Sequence, residues 1–346
     1  MMRSLFSESK LCRCLERPSL WAITLFTLLI GAGEVTLATG EEKAKEIRVG
    51  IIGLDTSHAV AFTKILNKEN PGAETAGVRV VAAYPKGSPD IESSVSRVPG
   101  YTEEVRKQGV EIVDSIEKLL TKVDAVLLET NDGRPHLEQV RPVLKAGKPV
   151  FIDKPISASL QDAITIFAEA KAAKVPVFSA SSLRYGKTTL AARAGSLGRI
   201  KSCETFSPAS LEKTHPDLFW YGIHGVESLF TVLGTGCQSV KRGKTSDGKI
   251  EVVGQWSDGR TGTFREGSGY GGKAVGDKGE GEVGKYDGYE PLVHDIVRFF
   301  RTGEPLMTAE ETLEIYAFME AADESKRRDG AVVTLAEVME KARSKK

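Results

Sequence analysis

The sequence predicts an α/β protein in which a doubly wound parallel sheet is followed by an α+β domain with a mostly antiparallel sheet. Three observations predict this class. Short apolar runs alternate with helix-like stretches from residue 47 to residue 182. Beyond residue 183, strand-like segments predominate instead, and two of the gaps between them contain Asp-Gly pairs, which favour hairpin turns. Strand–helix alternation indicates a parallel sheet with helices on both faces, which is the architecture expected for the first region.

The first region is predicted to contain six strands separated by helices. Helix-like stretches lie at 57–66 and 135–146, and a further helix begins after Ser159, where Leu160, Ile164 and Phe167 share one face. The predicted strands cover residues 47–52, 78–84, 110–113, 125–129, 149–152 and 175–179.

The second region is predicted to pair short strands and to pack helices on one face of the sheet. Its predicted strands cover residues 200–207, 239–242, 250–256 and 261–265. A glycine-rich stretch at 267–284 is expected to be a mobile loop, and amphipathic helices are expected at 290–301 and 309–327.

Composition excludes some function classes. The 346 residues include 47 basic and 47 acidic side chains, so there is no basic excess to neutralise phosphates and no nucleic-acid partner is expected. Of four cysteines, Cys203 and Cys237 lie outside the N-terminal leader, and they could pair or stay free. The chain has no Cys-x-x-Cys or His-Glu-x-x-His pattern, so no metal site is predicted.

The N-terminus is typical of a secretory signal peptide. Four basic residues precede an apolar run at 20–30, and small residues with a cleavage-like pattern at 36–38 follow. The run is short for a membrane span, so we expect cleavage, export to the periplasm or the extracellular space, and no stable span in the mature chain. An uncleaved leader would instead anchor the chain to a membrane.

The turn after the first strand is a candidate cofactor loop. Dinucleotide-binding Rossmann domains carry Gly-x-Gly-x-x-Gly here, whereas this chain keeps Gly53 alone and has Asp55 and His58 at the other two positions. The Asp55 carboxylate would repel a diphosphate by about 1 kcal/mol in water, although amides of Thr56 and Ser57 at a helix N-terminus could bind an anion. Asp55 could equally cap the helix, and His58 could be a packing residue.

The end of the second strand leaves the choice between NAD and NADP open. An acidic residue there would bind the ribose hydroxyls of NAD. Lys86 and Ser88 stand there instead, and they could accept the 2′-phosphate of NADP or form a surface turn.

The predicted segments are a signal peptide at 1–40, a linker at 41–46, a Rossmann-like dinucleotide-binding domain at 47–182, an α+β substrate and oligomerisation domain at 183–335 and a tail at 336–346.

Lys154 follows the strand predicted at 149–152 and is the middle residue of an Asp153-Lys154-Pro155 triplet. Pro155 disfavours helical geometry at Lys154, so the ammonium is presented from an extended turn. The carboxyl end of a parallel strand is where such sheets bind ligands. In any other setting Lys154 would be read as a solvated loop lysine.

The block at 144–156, followed by the helix after Ser159, resembles the Gfo/Idh/MocA family, named for glucose–fructose oxidoreductase and inositol dehydrogenase. The resemblance extends over residues 46–335; the family's triplet is usually Glu-Lys-Pro, and this chain has Asp153 in place of the glutamate. It implies an NAD(P)-dependent oxidoreductase of a sugar or polyol, with Lys154 between nicotinamide and substrate. It also places the turn at Asn131 under the nicotinamide ring.

The segment around His224 resembles the family's Gly-x-His-x-x-Asp helix, which implies that His224 is the catalytic acid/base. Glu227 is three residues further and shares a helix face, so we expect it to raise the pKa of His224 and fix its tautomer. Trp220, where the family often has an acid, and Tyr221 suit a sugar platform. The family often has an arginine at the position of Arg184 lining the site. A surface position for Arg184 and a buried structural role for His224 stay open.

Two functions fit these patterns. One is an exported oxidoreductase that holds its NAD or NADP tightly, because free nicotinamide is expected to be scarce outside the cytoplasm; the same chemistry could serve glycoside cleavage. The other is a fold that has lost its cofactor and binds a carbohydrate or a partner protein. Asp55, His58, Trp220 and Tyr84 favour the second, whereas the presence of Lys154, His224 and Arg184 together favours the first. A homo-oligomer is implied by the resemblance alone.

Overall fold

The computed structural model describes residues 46–344. The predicted signal peptide and linker residues 41–45 lie outside these residues. Within 46–344, none of the helices has the length and apolar character needed to cross a membrane. The predicted boundary at residues 182 and 183 stays a prediction.

The first sheet has six parallel strands: β1 (Ile47–Ile52), β2 (Val78–Tyr84), β3 (Glu111–Ile112), β4 (Ala125–Leu128), β5 (Val150–Ile152) and β6 (Val177–Phe178). Their order is β3-β2-β1-β4-β5-β6, so the strand order reverses between β1 and β4. β4 and β5 are buried along their whole length, as expected for strands covered by helices on both faces. The predicted doubly wound sheet is confirmed, and ligands of such sheets bind where the order reverses.

The helices of this region are α1 (Ser57–Leu66), α2 (Glu92–Lys107), α3 (Ile116–Leu120), α4 (His136–Lys145), α5 (Leu160–Ala173) and, after a 3₁₀ turn at Ser182–Tyr185, α6 (Lys187–Arg193). Thr56 caps α1, since its hydroxyl accepts from the His58 amide at 3.3 Å, so the alternative that Asp55 caps this helix is wrong. Sequence reasoning missed α2 because Pro99 interrupts its pattern.

The second sheet has seven strands: β7 (Ile200–Ser207), β8 (Cys237–Lys244), β9 (Ile250–Trp256), β10 (Thr261–Glu266), β11 (Gly271–Gly276), β12 (Gly279–Glu282) and β13 (Val333–Thr334). Their order is β12-β11-β7-β10-β9-β8-β13, and all pairs are antiparallel except β7 with β10. Both predicted Asp-Gly turns join paired strands, with Gly248 and Gly259 at φ of 84° and 85°. The mostly antiparallel second sheet is therefore confirmed.

One prediction about this region is wrong. The stretch at 267–284 contains β11 and β12 instead of being a loop, because its glycines permit close strand packing: a Cβ at Gly272 would collide with the backbone of Glu204. The predicted tail contains a helix, α10. The helices after the first domain are α7 (Ile223–Leu233), α8 (Glu290–Thr302), α9 (Ala309–Arg327) and α10 (Leu335–Ser344).

Gly225 fixes the position of α7 against the second sheet. A Cβ at this residue would lie 2.5 Å from the ring of Phe264 on β10. The close approach therefore requires glycine, and it sets the depth of His224, one residue earlier in the first turn of α7. A π-helical turn at Leu218–Gly222 leads directly into this helix.

Candidate active site

A cavity of about 400 Å³ lies at the carboxyl edge of the first sheet and is closed on its far side by residues of the second region. This volume is in the range of about 300–1,000 Å³ that is usual for small-molecule sites. The first region contributes the start of α1, with Thr56, Ser57 and His58, together with Asn131 and Lys154. Four of these were predicted as cofactor contacts, and the structure brings them together.

The far wall of the cavity is aromatic and contains His224. Trp220 and Tyr221 line it, at the place predicted for a sugar platform. The other rings of the wall are Tyr270, Tyr286 and Tyr289. Sequence reasoning missed these three tyrosines, two of which lie in or near the stretch predicted as a loop. Aromatic faces of this kind bind the apolar faces of ligands while their hydroxyls donate or accept hydrogen bonds.

Lys154 follows β5 and is 5% exposed, so it is not the solvated loop residue that the sequence left open. Its peptide bond to Pro155 is cis. In the described part of the chain its ammonium has no hydrogen-bond partner, and it lies close enough to His224 to influence that imidazole electrostatically. The ammonium has the Asp153 and Glu129 carboxyl groups as electrostatic neighbours but forms no hydrogen bond to them, so its N–H groups can donate to a ligand oxygen in the cavity.

His224 is buried, and its Nδ1 lies 2.7 Å from the Ser181 hydroxyl oxygen. Burial lowers the pKa of His224 well below its usual value, and the Lys154 ammonium and then His58 lower it further. The imidazole is therefore neutral near pH 7 and can accept a proton. The prediction that Glu227 raises this pKa and fixes the tautomer is wrong, since Ser181 is the partner.

Arg184 and Glu227 form an internal ion pair and do not line the cavity. The Arg184 guanidinium, 1% exposed, donates to Glu227 at 3.0 Å and to Glu311 at 2.8 Å, and Arg193 also contacts Glu311 at 3.0 Å. Burial raises the pKa of Glu227 to about 7, and the charge on Arg184 opposes this. The predicted substrate contacts of Arg184 and Glu227 are therefore not found. The two residues instead join the 3₁₀ turn to α7 and α9.

The Asp55 carboxylate points into the protein and away from the cavity. It accepts hydrogen bonds from the Asn131 amide at 2.9 Å and from the Ser94 hydroxyl at 2.6 Å, and burial raises its pKa. Gly53 adopts φ of 92°, and a Cβ there would lie 2.5 Å from the Thr130 amide nitrogen. Gly53 and Asp55 thus shape the turn and do not contact the cavity.

The residues that face the cavity at this end fit the diphosphate of a dinucleotide. Thr56 and Ser57 lie at the N-terminus of α1, where backbone amides and the helix dipole favour an anion. Arg97 on α2 also lines the cavity, so it adds a positive charge. Because the Asp55 carboxylate is turned away, the predicted repulsion of a diphosphate does not arise at this surface.

Ser88, one of the two residues considered for binding a 2′-phosphate, already donates hydrogen bonds inside the protein. The Ser88 hydroxyl donates to Asp132 at 2.5 Å, and the Ser88 amide donates to the Ser94 hydroxyl at 2.8 Å. Ser88 is therefore occupied by internal bonds, whereas Lys86 is exposed.

A buried acidic cluster adjoins the cavity behind His58. The Nδ1 atom of His58 lies 2.8 Å from an Asp153 oxygen, and its ring stacks on Phe62 at 5.4 Å. Glu129, which follows β4 and which sequence reasoning missed, is fully buried; burial and the Asp153 charge raise its pKa well above the usual value. Although burial opposes it, the His58 and Lys154 charges lower the pKa of Asp153.

Comparison with known proteins finds similarity to oxidoreductases in the first region. Residues 47–181 match GFO_IDH_MocA, an oxidoreductase family with an NAD-binding Rossmann fold. Inositol 2-dehydrogenase 3 of Saccharopolyspora erythraea is 29% identical over 131 residues, which are 37% of this chain and about a third (33%) of that relative.

Solved structures share the fold across both regions. A probable dehydrogenase from Thermotoga maritima has a TM-score of 0.68 at 19% identity, covering 84% of this chain and 100% of that chain. Scyllo-inositol dehydrogenase from Lactobacillus casei, solved with NAD(H) and scyllo-inositol, has a TM-score of 0.66 at 18% identity, with 84% and 100% covered. At these identities the likeness shows the fold.

Proposed function

The chain belongs to the Gfo/Idh/MocA oxidoreductase family, and we propose that it is an NAD(P)-dependent oxidoreductase acting on a hydroxyl group of a sugar or polyol. One observation carries the proposal: Lys154 from the first sheet and His224 from α7 line a single cavity, both buried. The Lys154 ammonium and burial together keep the pKa of His224 low, so the cavity holds a fixed cation beside a neutral base.

His224 and Lys154 divide the work on the reacting hydroxyl. His224 accepts the hydroxyl proton through Nε2, which requires the tautomer in which Nδ1 carries the hydrogen and donates to the Ser181 oxygen 2.7 Å away. The same oxygen accepts from the Leu183 amide at 3.1 Å. Lys154 polarises the same oxygen and stabilises the negative charge that develops on it. A bound nicotinamide would supply the hydride acceptor for the neighbouring carbon.

The remaining residues that line the cavity would bind and orient the cofactor and the substrate. Thr56 and Ser57, with Arg97, would hold the diphosphate, and Asn131 would lie beside the nicotinamide end of the cavity. The aromatic wall would stack on the substrate ring and exclude water. Because relatives and structural neighbours include inositol dehydrogenases, myo-inositol and scyllo-inositol are the first substrates to test.

Export and tight retention of the cofactor are part of the same proposal. They depend on the predicted leader, which lies outside residues 46–344, and homo-oligomerisation depends on the family resemblance. Fractionation of cells that express the full chain tests the location: recovery of a shortened chain outside the cytoplasm supports export, and a full-length cytoplasmic chain contradicts it.

Ligand binding without redox chemistry is the second candidate, and one observation favours it. Ser88 follows β2 and Asp132 follows β4, so their hydrogen bond crosses the end of β1, which lies between these strands. A dinucleotide spans this edge of the sheet in Rossmann domains. A bond across it narrows the space for the adenosine half.

Cofactor content separates the two candidates. The purified chain is denatured, released nicotinamide nucleotide is identified by mass, and the folded chain is titrated with NAD and NADP. We expect bound or bindable cofactor, and reduction of it when a polyol is added. Folded protein that neither contains nor binds either nucleotide would overturn the oxidoreductase and support the second candidate. The exposed Lys64→Ala variant serves as a control for preparation and folding.

A further inference from the structure

Three buried side chains behind the cavity have no role in the proton transfer proposed above. Glu129 and Asp153 follow the neighbouring parallel strands β4 and β5, so their side chains meet at one edge of the sheet, and His58 reaches them from the start of α1. One possible ligand atom from each residue lies within 4.8 Å of the other two. The three residues form what we term the buried triad.

The triad contains three buried acceptor atoms without partners. Both carboxylate oxygens of Glu129 and the Oδ1 atom of Asp153 have no hydrogen-bond partner among the residues that the structure describes, and both side chains are 0% exposed. Buried polar atoms in native proteins are almost always paired, and the exceptions indicate a functional ligand. Two carboxylates with no donor, converging on one point, indicate a cation.

A single water satisfies these acceptors less well than a metal ion. One water has two hydrogens to donate to three oxygens. The nearby Lys154 ammonium forms no hydrogen bond to the triad in residues 46–344. A divalent ion can contact all three side chains at once and, unlike the single Lys154 ammonium, carries enough charge to balance both carboxylates.

The ligand types narrow the choice of ion. One imidazole and two carboxylates suit first-row transition metals and zinc, whereas Mg²⁺ and Ca²⁺ prefer oxygen ligands alone. Metal–ligand bonds of roughly 2.0–2.2 Å put two ligand atoms at most about 4.4 Å apart, so the side chains close by a few tenths of an ångström on binding. The His58–Asp153 contact, at 2.8 Å, already matches the separation of two ligands of one ion.

We propose that His58, Glu129 and Asp153 form a binding site for one divalent transition-metal ion of the Mn²⁺ or Zn²⁺ class. His58 lines the cavity, so the ion enters from that side. Binding replaces the hydrogen bond between His58 and Asp153 and ties the start of α1 to the ends of β4 and β5. The site does not depend on the proposed redox function.

The test measures metal binding directly. The purified full chain is freed of loosely held ions with a chelator, and Mn²⁺ and Zn²⁺ are titrated separately by calorimetry with elemental analysis of the washed complex. We expect one ion per chain. Glu129→Gln and His58→Gln should each weaken binding by more than the roughly 10- to 100-fold produced by loss of an outer-shell partner. Glu290→Gln and His294→Gln, which lie outside the triad, are matched controls and should bind as the native chain does.

Three results would overturn the site. They are a folded native chain that binds neither ion, triad variants that retain the ion with native affinity, and a Mn²⁺ complex whose electron spin-echo spectrum shows no nitrogen coupling. The spectrum needs no variant, so it decides the matter even if a substitution disturbs folding, which circular dichroism reports. Cofactor content is measured separately, so failure of the metal site and failure of the redox proposal are distinguishable.

Discussion

Two groups of buried charges flank the cavity, and they are built in opposite ways. Behind α7, the Arg184 guanidinium lies between Glu227 and Glu311, at 3.0 Å and 2.8 Å, so that each charge has a partner. Behind His58, the carboxylate oxygens of Glu129 have no partner among the described residues. Paired burial holds a fold together, whereas unpaired burial costs stability and is retained where a ligand or a reaction requires it.

Arg184 and Lys154 are both buried cations, and their hydrogen-bond partners give them different roles. Arg184 has the chemistry of a substrate-binding residue, yet its hydrogen bonds to carboxylates are internal, so it is part of the frame. Lys154 is equally buried but has no hydrogen-bonding partner in residues 46–344, so its charge remains available to the cavity.

Replacement of Lys154 should produce the largest effect. Lys154→Ala removes the charge that polarises the substrate oxygen, so turnover should fall by about 10²–10⁴-fold, the range typical of a catalytic acid or base. The free energy of unfolding should fall by less than in Arg184→Ala, because no hydrogen bond to the ammonium is lost and only its attraction for the Asp153 carboxylate is removed. Nicotinamide reduction assays and urea denaturation measure the two quantities; equal turnover in Lys154→Ala and Lys64→Ala would contradict the assignment.

Replacement of Arg184 should affect stability more than any other change on the paired side. Arg184→Ala leaves Glu227 buried without a cation and leaves Glu311 with Arg193 alone, so the free energy of unfolding should drop by about 3–5 kcal/mol. Urea denaturation at pH 7.5 measures it. The exposed ion pair of Arg141 with Glu169 is the control, and Arg141→Ala should cost only about 0–1 kcal/mol. Similar losses in both variants would mean that the buried network is not a stabilising frame.

Replacement of Glu129, in the unpaired group behind His58, should raise the free energy of unfolding instead of lowering it. In metal-free protein, Glu129→Gln removes a buried carboxyl group that has no hydrogen-bond partner and lies beside the Asp153 charge, so the free energy of unfolding should rise by about 1–3 kcal/mol. Glu290→Gln, at an exposed ion pair with Lys68, should change it little. A marked loss of stability in metal-free Glu129→Gln would show that Glu129 stabilises the fold by itself.

The pH dependence should show the smallest effect. Because burial and Lys154 lower the pKa of His224, the base stays neutral as the pH falls past the usual histidine value of about 6.5, and kcat/KM should stay level there. Below that pH the folded protein binds fewer protons than the unfolded chain, so the contribution of His224 to stability is complete above pH 6.5 and lost as the pH falls. A rate that halves at or above pH 6.5 with the protonation of His224 would contradict the environment described here.

Local patterns predicted the regular elements well. The bounds of β1, β2, α1 and α9 match the sequence prediction, because apolar periodicity and capping residues act within a few residues of the chain. α2 and the strands at 271–282 were missed, since a proline and a run of glycines conceal elements that tertiary packing stabilises.

The site was predictable only in part. Lys154, His224 and Asn131 were found because each stands in a short motif at the end of a strand or in the first turn of a helix. Glu227 was paired with the wrong partner, since helical spacing places it near His224 but does not reveal that an arginine arrives from another element. The buried triad has no motif at all, because its members come from three elements distant in the chain.

A double-mutant cycle tests the central claim, that Lys154 and His224 act on one carbon. The native chain, Lys154→Ala, His224→Ala and the double variant are loaded with NAD and mixed with the polyol that the native chain oxidises, and nicotinamide reduction is followed in a single turnover. If the two side chains work as a unit, the double variant should react about as slowly as the slower single variant. Losses that multiply, or a single variant that reacts at the native rate, would contradict the claim.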